Sequence, residues 1–497
     1  MGRAGLDAAV QAIEQVVGSE HVLTDPSLRE LLSRDLSWLP GEVAAVVVRP
    51  GSADEVAAVV GAAARAGVAV VPRGGGMTYT RGYTPPCADA LLLDLSRLDS
   101  IREVNGDDGY VVVEAGCTWE RLYAEVRTQG LQTPFAGTSS GRYATVGGTL
   151  STNGVFLGSS RFGSAVESVL GVEVAIGDGS LVRTGSWGRR DGAPWFRNHG
   201  PDLTGLFLAD TGALGVKTAA ALRVLPTMPC ARQASFAFSG FHASVDAMSE
   251  MARLNVASEI YSFDPWYNRA FVGLGFGSLG GVDWSVHLTV DAYDDATADG
   301  GLGLLRSIGA RHGREVEAAL PLTLRDDPFG GVRWALLGDD GEIWLPTHAI
   351  LPFSRAHEAV EAIDRVLERD SSLLARHGIA TSYQSVVVGR SWILELGIYW
   401  ADEVGAFRLG LIAAEEAARF AAIPANPSAR AAALALRREV SDLLAGLDGA
   451  QLQVGRYYRY PELLAPATLA LLRGAKALVD PAGVLNPGSL GFDRMPA

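Results

Sequence analysis

The sequence lacks several features that would place it in a common class of protein. Its three cysteines, Cys87, Cys117 and Cys230, lie far apart and form no C-x-x-C pair, so neither a disulfide framework nor a zinc site is indicated. The eight histidines are dispersed, and none pairs at a helical metal spacing. We therefore predict no metal site.

Long hydrophobic runs and net positive charge are also missing. No window of the sequence reaches the roughly 18 consecutive apolar residues that a membrane-spanning helix needs. The formal net charge of −14 would repel nucleic acid and anionic lipid, so neither is predicted as a partner. Residues 1–20 carry acidic side chains within an amphipathic pattern and indicate a helix, not a signal peptide. A cytoplasmic location is expected.

The length of 497 residues allows two or three domains with full hydrophobic cores. From about 41 to 228, short Val/Leu-rich runs alternate with helical patterns and glycine turns, which predicts an α+β unit. After Pro226 and Pro229, longer amphipathic helices and aromatic strand-like runs predict a second sheet covered by helices on one face. The expected division is 1–228, 229–451 and 452–497.

A glycine cluster follows a helix and a short strand near the N-terminus. Ser52 and Glu55 form an S-x-x-E capping box, Gly67 ends the predicted helix, and an apolar strand then leads into Arg73-Gly-Gly-Gly. Side chains are scarce in this turn, so backbone N–H groups can converge on an anion such as a phosphate. A tight structural turn is the alternative. The cluster is neither a G-x-G-x-x-G crossover nor a P-loop, so neither a Rossmann site nor an NTPase is predicted.

A second glycine-rich segment spans residues 137–154, with the sequence GTSSGRYATVGGTLSTNG. Its glycines permit close approach of the backbone to a bulky ligand, and its Ser and Thr hydroxyls offer hydrogen-bond donors.

Taken in order along the chain, these and other segments resemble the vanillyl-alcohol oxidase/p-cresol methylhydroxylase (PCMH) superfamily of FAD-linked enzymes. The resemblance covers nearly the whole FAD domain and the C-terminal part of the chain. It implies an α+β fold in which a PCMH-type FAD-binding domain of two α/β subdomains carries an inserted cap domain. The matching motifs are PRGGGMTY from Pro72, LDLSRL from Leu93, VVEAGCTWERLY from Val112, TVGGTLSTNG from Thr145, LGVEV from Leu170, PDLTGLF from Pro201, TGALGV from Thr211 and VDPAGVLNPG from Val479.

The resemblance also implies which residues bind FAD. In the family the first glycine turn holds the pyrophosphate, the T-V-G-G segment lines the isoalloxazine and ribityl, and the L-G-V-E-V strand contacts the adenine side. The nominated residues are Arg73, Gly74, Gly75, Gly76, Met77, Thr78, Gly137, Thr138, Thr145, Gly147, Gly148, Thr152, Asn153, Val172, Glu173, Val174 and Asn486.

The residues that attach FAD covalently in related branches are missing here. Met77 occupies the place of the histidine of the berberine-bridge-like branch, and no cysteine precedes T-V-G-G. The late cap strand that carries a histidine in the vanillyl-alcohol oxidase branch matches residues 386–400, which contain none. FAD is therefore predicted to be non-covalent, with a tyrosyl link elsewhere in the cap left open.

The candidate catalytic residues lie near the C-terminus. The segment GRYYRY from Gly455 resembles the G-x-Y-R of the vanillyl-alcohol oxidase branch and assigns catalytic roles to Tyr458 and Arg459. A guanidinium stabilises negative charge that develops beside a flavin or a phenolate. A structural Arg/Tyr pair is the alternative. His287 and His348 on cap strands are candidate bases, although a lone histidine there is more often structural.

The resulting hypothesis is an FAD-dependent enzyme that transfers a hydride from a substrate C–H bond to flavin N5 and is reoxidised by O2 or another acceptor. An alcohol is the favoured small-molecule substrate, and an aromatic one suits the Trp, Tyr and Phe content of the cap. The metal-binding motifs of the D-2-hydroxy-acid dehydrogenase branch are absent. A metal-free enzyme of that kind is the second hypothesis, with Arg142, Arg390 or Arg459 holding the carboxylate. Flavin binding without turnover is the third, and a homo-oligomer is left open.

Overall fold

The computed structural model describes residues 3–39, 41–273 and 283–492. Three sheets organise the chain: the first two lie within residues 1–228 and the largest lies within 229–451. The α+β class predicted from the sequence is confirmed.

The first sheet is small and carries the first glycine turn. Its strand order is β1-β2-β4-β3, with β2, β4 and β3 parallel and β1 antiparallel at the edge. The elements are α1 (Arg3–Val17), β1 (Val22–Leu23), α2 (Pro26–Leu32), β2 (Val46–Val48), α3 (Ala53–Ala66), β3 (Val70–Arg73) and β4 (Leu91–Asp94).

Helix α3 begins and ends as its sequence predicts. The Glu55 amide donates to Ser52 Oγ at 3.2 Å, and the Glu55 carboxylate accepts from the Gly51 amide at 2.7 Å. Gly67 adopts the left-handed conformation at the C-terminal end, with φ 63°. Val56, Val59, Val60 and Ala63 are buried against the sheet, so the helix fixes the direction in which β3 runs toward the glycine turn.

The second sheet is antiparallel, with strand order β5-β6-β10-β8-β9. A two-stranded β7/β11 pair lies beside it. The elements are β5 (Ile101–Asn105), β6 (Tyr110–Glu114), α4 (Trp119–Thr128), β7 (Leu131–Gln132), α5 (Val146–Thr152), α6 (Ser159–Phe162), β8 (Val169–Ala175), β9 (Leu181–Arg183), α7 (Leu203–Leu206), β10 (Val216–Arg223) and β11 (Leu225–Pro226).

The third sheet, called the cap sheet here, has seven antiparallel strands in the order β15-β12-β14-β13-β17-β18-β16. Helices α8, α10 and α16 pack against it, and α12 packs against α8 and α16. The elements are β12 (Cys230–Phe238), α8 (Phe241–Leu254), β13 (Glu259–Phe263), α9 (Pro265–Gly273), β14 (Trp284–Ala292), α10 (Asp295–His312), β15 (Arg314–Val316), α11 (Ala319–Asp326), β16 (Ile343–Pro352), α12 (Ala356–Arg369), α13 (Ser371–His377), β17 (Ala380–Val388), β18 (Ser391–Trp400), α14 (Ala406–Leu409), α15 (Ala414–Phe420) and α16 (Pro427–Gly446).

The C-terminal segment crosses back from the cap to the first sheet. It contains α17 (Tyr460–Leu463) and α18 (Pro466–Val479). The Val70 amide donates to Val484 O and the Asn486 amide donates to Val70 O, each at 2.8 Å, so the segment pairs with the edge of β3. This return places the residues around 452–458 between the second glycine segment and the cap sheet: the Gln453 amide donates to Thr152 O at 3.0 Å, and the His348 amide donates to the Tyr458 hydroxyl oxygen at 3.3 Å. Within the described ranges, no helix combines the length and apolar character needed to cross a bilayer.

Candidate active site

A cavity of about 450 Å³ lies where the two glycine segments, the cap sheet and the C-terminal segment meet. One wall is formed by the first glycine turn, residues 73–78, and the second glycine segment, residues 137–154. The facing wall is formed by side chains of β13, β16, β17 and β18, with α11 at one side. A cavity enclosed between separate structural layers is typical of a cofactor and substrate site.

The two glycine segments touch through their backbones. A Cβ on Gly75 would lie 1.9 Å from Tyr143 O, and a Cβ on Gly74 would lie 2.2 Å from Thr145 Oγ1. No side chain fits at Gly75, where the neighbour is backbone, and a side chain at Gly74 would require the Thr145 hydroxyl to move. Gly75 is therefore required for the contact between the two segments, in addition to any role toward a ligand.

The second glycine segment carries a short helix that begins at the cavity. Thr145 is the N-cap of α5, and its Oγ1 accepts from the Gly148 amide at 3.3 Å. The helix ends at Asn153, which adopts the left-handed conformation with φ 57°. Gly147 faces the opposite way, because a Cβ there would lie 2.6 Å from Ala115 Cβ. Thus the segment offers Thr145, Gly148 and Asn153 to the cavity and Gly147 to the core.

Three polar side chains lie in a row across the cap sheet and face the cavity. His348 on β16 is directly opposite Glu395 on β18, and Glu395 is directly opposite Gln384 on β17. The Gln384 side-chain amide donates to the Glu395 carboxylate. Burial raises the pKa of Glu395 to about 7, against the smaller opposing effect of the Gln384 hydrogen bond. A carboxyl group with this pKa can accept and release a proton near neutrality.

His348 is held neutral beside this carboxyl group. Burial lowers the pKa of His348 to about 4, and the nearby Arg437 charge acts in the same direction. The His348 amide donates to the Tyr458 hydroxyl oxygen at 3.3 Å, and that oxygen lies 3.5 Å from His348 Nδ1. Tyr458 is buried and is not part of the cavity lining, so it contacts His348 on the side away from the cavity.

Arg459 lies away from the cavity. Its side chain is 52% exposed and pairs with Asp442 at 3.4 Å. The buried guanidinium near Tyr458 belongs instead to Arg437 on α16. It donates to Tyr79 O at 2.6 Å and to Pro346 O at 2.9 Å, and it lies 3.8 Å from the centre of the Tyr457 ring.

Ten of the residues nominated as FAD ligands are brought together in the cavity wall, and seven lie outside it, six of them within residues 1–228 and Asn486 in the C-terminal segment. The ten are Gly74, Gly75, Gly76, Met77, Thr78, Thr138, Thr145, Gly148, Thr152 and Asn153. The seven are Arg73, Gly137, Gly147, Val172, Glu173, Val174 and Asn486.

Several of these seven have structural partners in the protein. Arg73 is buried and donates to Arg34 O at 2.7 Å. Glu173, on β8, pairs with Arg102 at 2.9 Å and Arg183 at 2.8 Å. Asn486 is buried and its side-chain amide donates to Gly82 O and Thr211 O at 2.7 and 2.6 Å, so it joins the C-terminal segment to the FAD-binding region.

The other arginines and histidine considered from the sequence also lie outside the cavity wall. Arg142 is 42% exposed and pairs with Glu120 at 3.1 Å, and Arg390 is exposed in the turn between β17 and β18. His287 is fully buried between Ser235 and Ser285, at 2.8 and 2.9 Å. Burial lowers the pKa of His287 to about 3, so it is neutral.

From the cap wall, sequence reasoning named His348 and missed its other polar and aromatic side chains. Glu395, Gln384, Tyr261, Phe263 and Tyr267 line the cavity, but none belongs to a recognisable motif. One signal was present: Glu395 interrupts the apolar run WILELGIYW, and a carboxyl group inside a buried strand needs a partner or a role. In the part of the chain that the structure describes, no group of three or more His, Cys, Asp or Glu side chains could hold a metal ion.

Comparisons with known proteins agree with this architecture. Residues 44–185 match a family described as an FAD binding domain. The fold is similar over 100% of this chain to 4-ethylphenol oxidase from Gulosibacter chungangensis (TM-score 0.77, 18% identity, 98% of that chain). It is also similar to p-cresol methylhydroxylase (TM-score 0.78, 17% identity, 100% of this chain and 99% of that chain).

Two curated relatives add sequence similarity. An uncharacterized FAD-linked oxidoreductase of Mycobacterium tuberculosis is 24% identical over 95% of this chain and 97% of its own length. A D-2-hydroxyglutarate dehydrogenase of Xanthomonas citri is 31% identical over 45% of this chain, and this alignment spans 46% of that enzyme. The chain is therefore an FAD-linked oxidase or dehydrogenase whose FAD-binding domain includes residues 44–185, in a fold like that of p-cresol methylhydroxylase and 4-ethylphenol oxidase.

The polar groups of the cavity wall fit this cofactor. Asn153 and Gln453 each leave a buried side-chain oxygen without a hydrogen-bond partner among the described residues. FAD carries ribityl hydroxyls and a ring N–H that can donate to such oxygens. The glycine turn adds a wall without side chains, where backbone amides can meet phosphate oxygens.

Proposed function

We propose that the protein oxidises an alcohol, with Glu395 as the base that accepts the proton of the substrate hydroxyl. When bound, FAD would supply the hydride acceptor, N5, with O2 or another acceptor as the final oxidant. The substrate loses a hydride from its C–H bond and a proton to the Glu395 carboxylate, and leaves as the carbonyl compound. Gln384 orients the carboxylate, and neutral His348 borders it on the other side.

One observation carries this proposal: a buried carboxyl group with a pKa of about 7 lies in the cavity wall that faces the glycine segments. General bases work best when their pKa lies near the working pH. The surroundings are aromatic and apolar, with Phe263, Tyr267, Trp344 and Ile393 in the same wall. Such a wall suits an alcohol with an aromatic body and excludes water from the reacting atoms.

For Tyr458 and Arg459, to which the sequence assigned catalytic roles, the proposed roles are different. Tyr458 contacts His348 and supports the cavity wall from behind, so we propose that it positions His348. Arg459 is half exposed in an ion pair, which supports a surface role.

We further propose that FAD is held without a covalent bond, by the ten nominated residues that line the cavity. Met77, which is 8% exposed and lines the cavity, has no group that can form the bond made by a histidine in one related branch. Nominated residues outside the cavity wall would support the site indirectly. Arg73 would fix the glycine turn and Asn486 the C-terminal segment, each through its hydrogen bonds. Absorption of the supernatant after acid precipitation tests this, since non-covalent flavin is released and covalent flavin stays in the pellet.

A second candidate function is oxidation of a D-2-hydroxy acid. Sequence similarity to two proteins named for this activity supports it. They are a D-2-hydroxyglutarate dehydrogenase and a probable D-lactate dehydrogenase of Danio rerio. The arginines first considered as carboxylate ligands, Arg142, Arg390 and Arg459, do not line the cavity. The site therefore favours the alcohol.

Anaerobic reduction of the bound flavin separates the two candidates. Purified holoenzyme would be mixed with aryl alcohols or with D-lactate and D-2-hydroxyglutarate, and loss of the oxidised flavin absorbance would be followed. We expect bleaching by at least one aryl alcohol. Bleaching by the hydroxy acids alone would replace the proposal by the second candidate.

A further inference from the structure

The cavity has an uneven distribution of charged groups. Among the described residues that line it, the ionisable carboxyl groups are Glu395 and Asp327, and no Lys or Arg is present. Asp327 lies 3.9 Å from the Arg142 guanidinium, which compensates its charge from the outer side. Glu395 has no such ion pair within the described ranges; its direct partner is the neutral Gln384 amide.

The groups that face Glu395 from neighbouring elements carry no charge near neutrality. His348 on β16 is neutral because burial lowers its pKa to about 4. The surrounding phenols have pKa values that burial raises, so they stay protonated. They are Tyr79 beside the glycine turn, Tyr267 on α9, Tyr399 on β18 and Tyr458 in the C-terminal segment.

Two buried guanidinium groups near this wall point elsewhere. Arg408 donates to the carbonyl oxygens of Leu336, Trp344 and Leu36, and it is not part of the cavity lining. Arg437 donates to the carbonyl oxygens of Tyr79 and Pro346, and it is not part of the cavity lining. A substrate carboxylate or phenolate placed in the cavity would therefore meet an ionised Glu395 in a buried, weakly screened setting without a facing cation. Like charges in such a setting repel strongly.

We propose that Glu395 makes this cavity selective for uncharged hydroxyl compounds and excludes carboxylates and phenolates. The inference rests on the proposed function, which makes the substrate an alcohol. It adds that the substrate carries no negative charge. It sets the specificity of this site apart from that of a hydroxy-acid enzyme. The same side chain then serves two purposes: its carboxylate takes the hydroxyl proton, and its charge rejects anions.

Equilibrium binding to the FAD-loaded protein tests this independently of turnover. Benzamide and benzoate have nearly the same shape and differ in charge, and neither presents an alcohol to oxidise. Binding of each would be followed by the change in the flavin absorption spectrum, one pH unit above and one below the Glu395 pKa of about 7. At the higher pH we expect benzoate to bind weaker than benzamide by on the order of tenfold. At the lower pH the difference should shrink severalfold.

Two variants complete the experiment. Glu395→Gln keeps the size of the side chain and removes its charge, so the two ligands should bind about equally at both pH values. Asp327→Asn is the matched control, because it removes a cavity carboxylate already compensated by Arg142, and the wild-type preference should persist.

The outcomes separate cleanly. Benzoate binding as well as or better than benzamide in the wild type, or an unchanged preference in Glu395→Gln, would overturn the proposal. If that variant failed to retain flavin, the pH comparison on the wild type would still decide. A charge preference without flavin bleaching by any alcohol would reject the proposed function and leave the charge selectivity standing.

Discussion

The two facing walls of the cavity are built by different physical means. The flavin-side wall, named for the proposed place of the cofactor, consists of glycine turns, and at Gly75 the contact with the Tyr143 carbonyl tolerates no side chain. The cap wall consists of alternate side chains on adjacent antiparallel strands, where His348, Glu395 and Gln384 meet only through strand register. The difference teaches that the first wall is specified by local sequence and the second by pairing between distant segments. Changes in the first wall should affect cofactor retention, and changes in the second should affect chemistry.

The strongest test of this division is Glu395→Gln. The variant should retain FAD, because the side chain lies on the cap wall, and lose the proton acceptor. We expect the rate of flavin reduction by an alcohol substrate to fall by about 10²–10⁴-fold, the usual contribution of a general base. Stopped-flow absorbance under anaerobic conditions measures it. Reduction within a factor of two or so of wild type would remove Glu395 from the catalytic role.

The complementary change is Gly75→Ala on the flavin-side wall. Its Cβ would lie 1.9 Å from Tyr143 O, so the two glycine segments must separate. We expect loss of bound FAD and destabilisation of about 2 kcal/mol or more. Flavin content per protein and denaturant unfolding measure the two effects. Gly300→Ala in α10, where a Cβ meets no atom within 4 Å, is the control and should be neutral or slightly stabilising.

The pH dependence of flavin reduction should report on the cap wall. Because the proposed base is the Glu395 carboxylate, the reduction rate should rise with pH and level off above the pKa of about 7. In Glu395→Asn or Glu395→Gln this rise should disappear, while the affinity for FAD stays near that of wild type. A profile that falls as pH rises through this range would contradict the assignment.

The smallest effect is expected for Arg459→Ala. Its side chain is half exposed and pairs with Asp442, and such surface pairs contribute about 1 kcal/mol or less. Flavin content and reduction rate should stay close to wild type.

Arg437→Met, which leaves the buried Tyr79 and Pro346 carbonyls without their donor, should cost about 2 kcal/mol or more in the free energy of unfolding. Equal losses in both variants would restore Arg459 to the site.

Much of the flavin-side wall could be predicted because its signals are local. The capping box at Ser52, the left-handed Gly67 and the run of glycines after Arg73 each depend on residues a few positions apart. Ten of the residues that the family resemblance nominated line the cavity. The others, such as Glu173 in its ion pairs, were nominated by motif position, which does not show the direction of a side chain.

The sequence by itself predicted the α+β fold and the glycine turns, because backbone freedom and local hydrogen bonding are encoded by neighbouring residues. Its resemblance to a known superfamily implied the class of enzyme. Only the tertiary structure decided which side chains face the cofactor from the cap. Residues 348, 384 and 395 become neighbours through the register of β16, β18 and β17, and burial in that sheet raises the pKa of Glu395. Register and burial depend on the packing of the whole cap, so no local pattern specifies them.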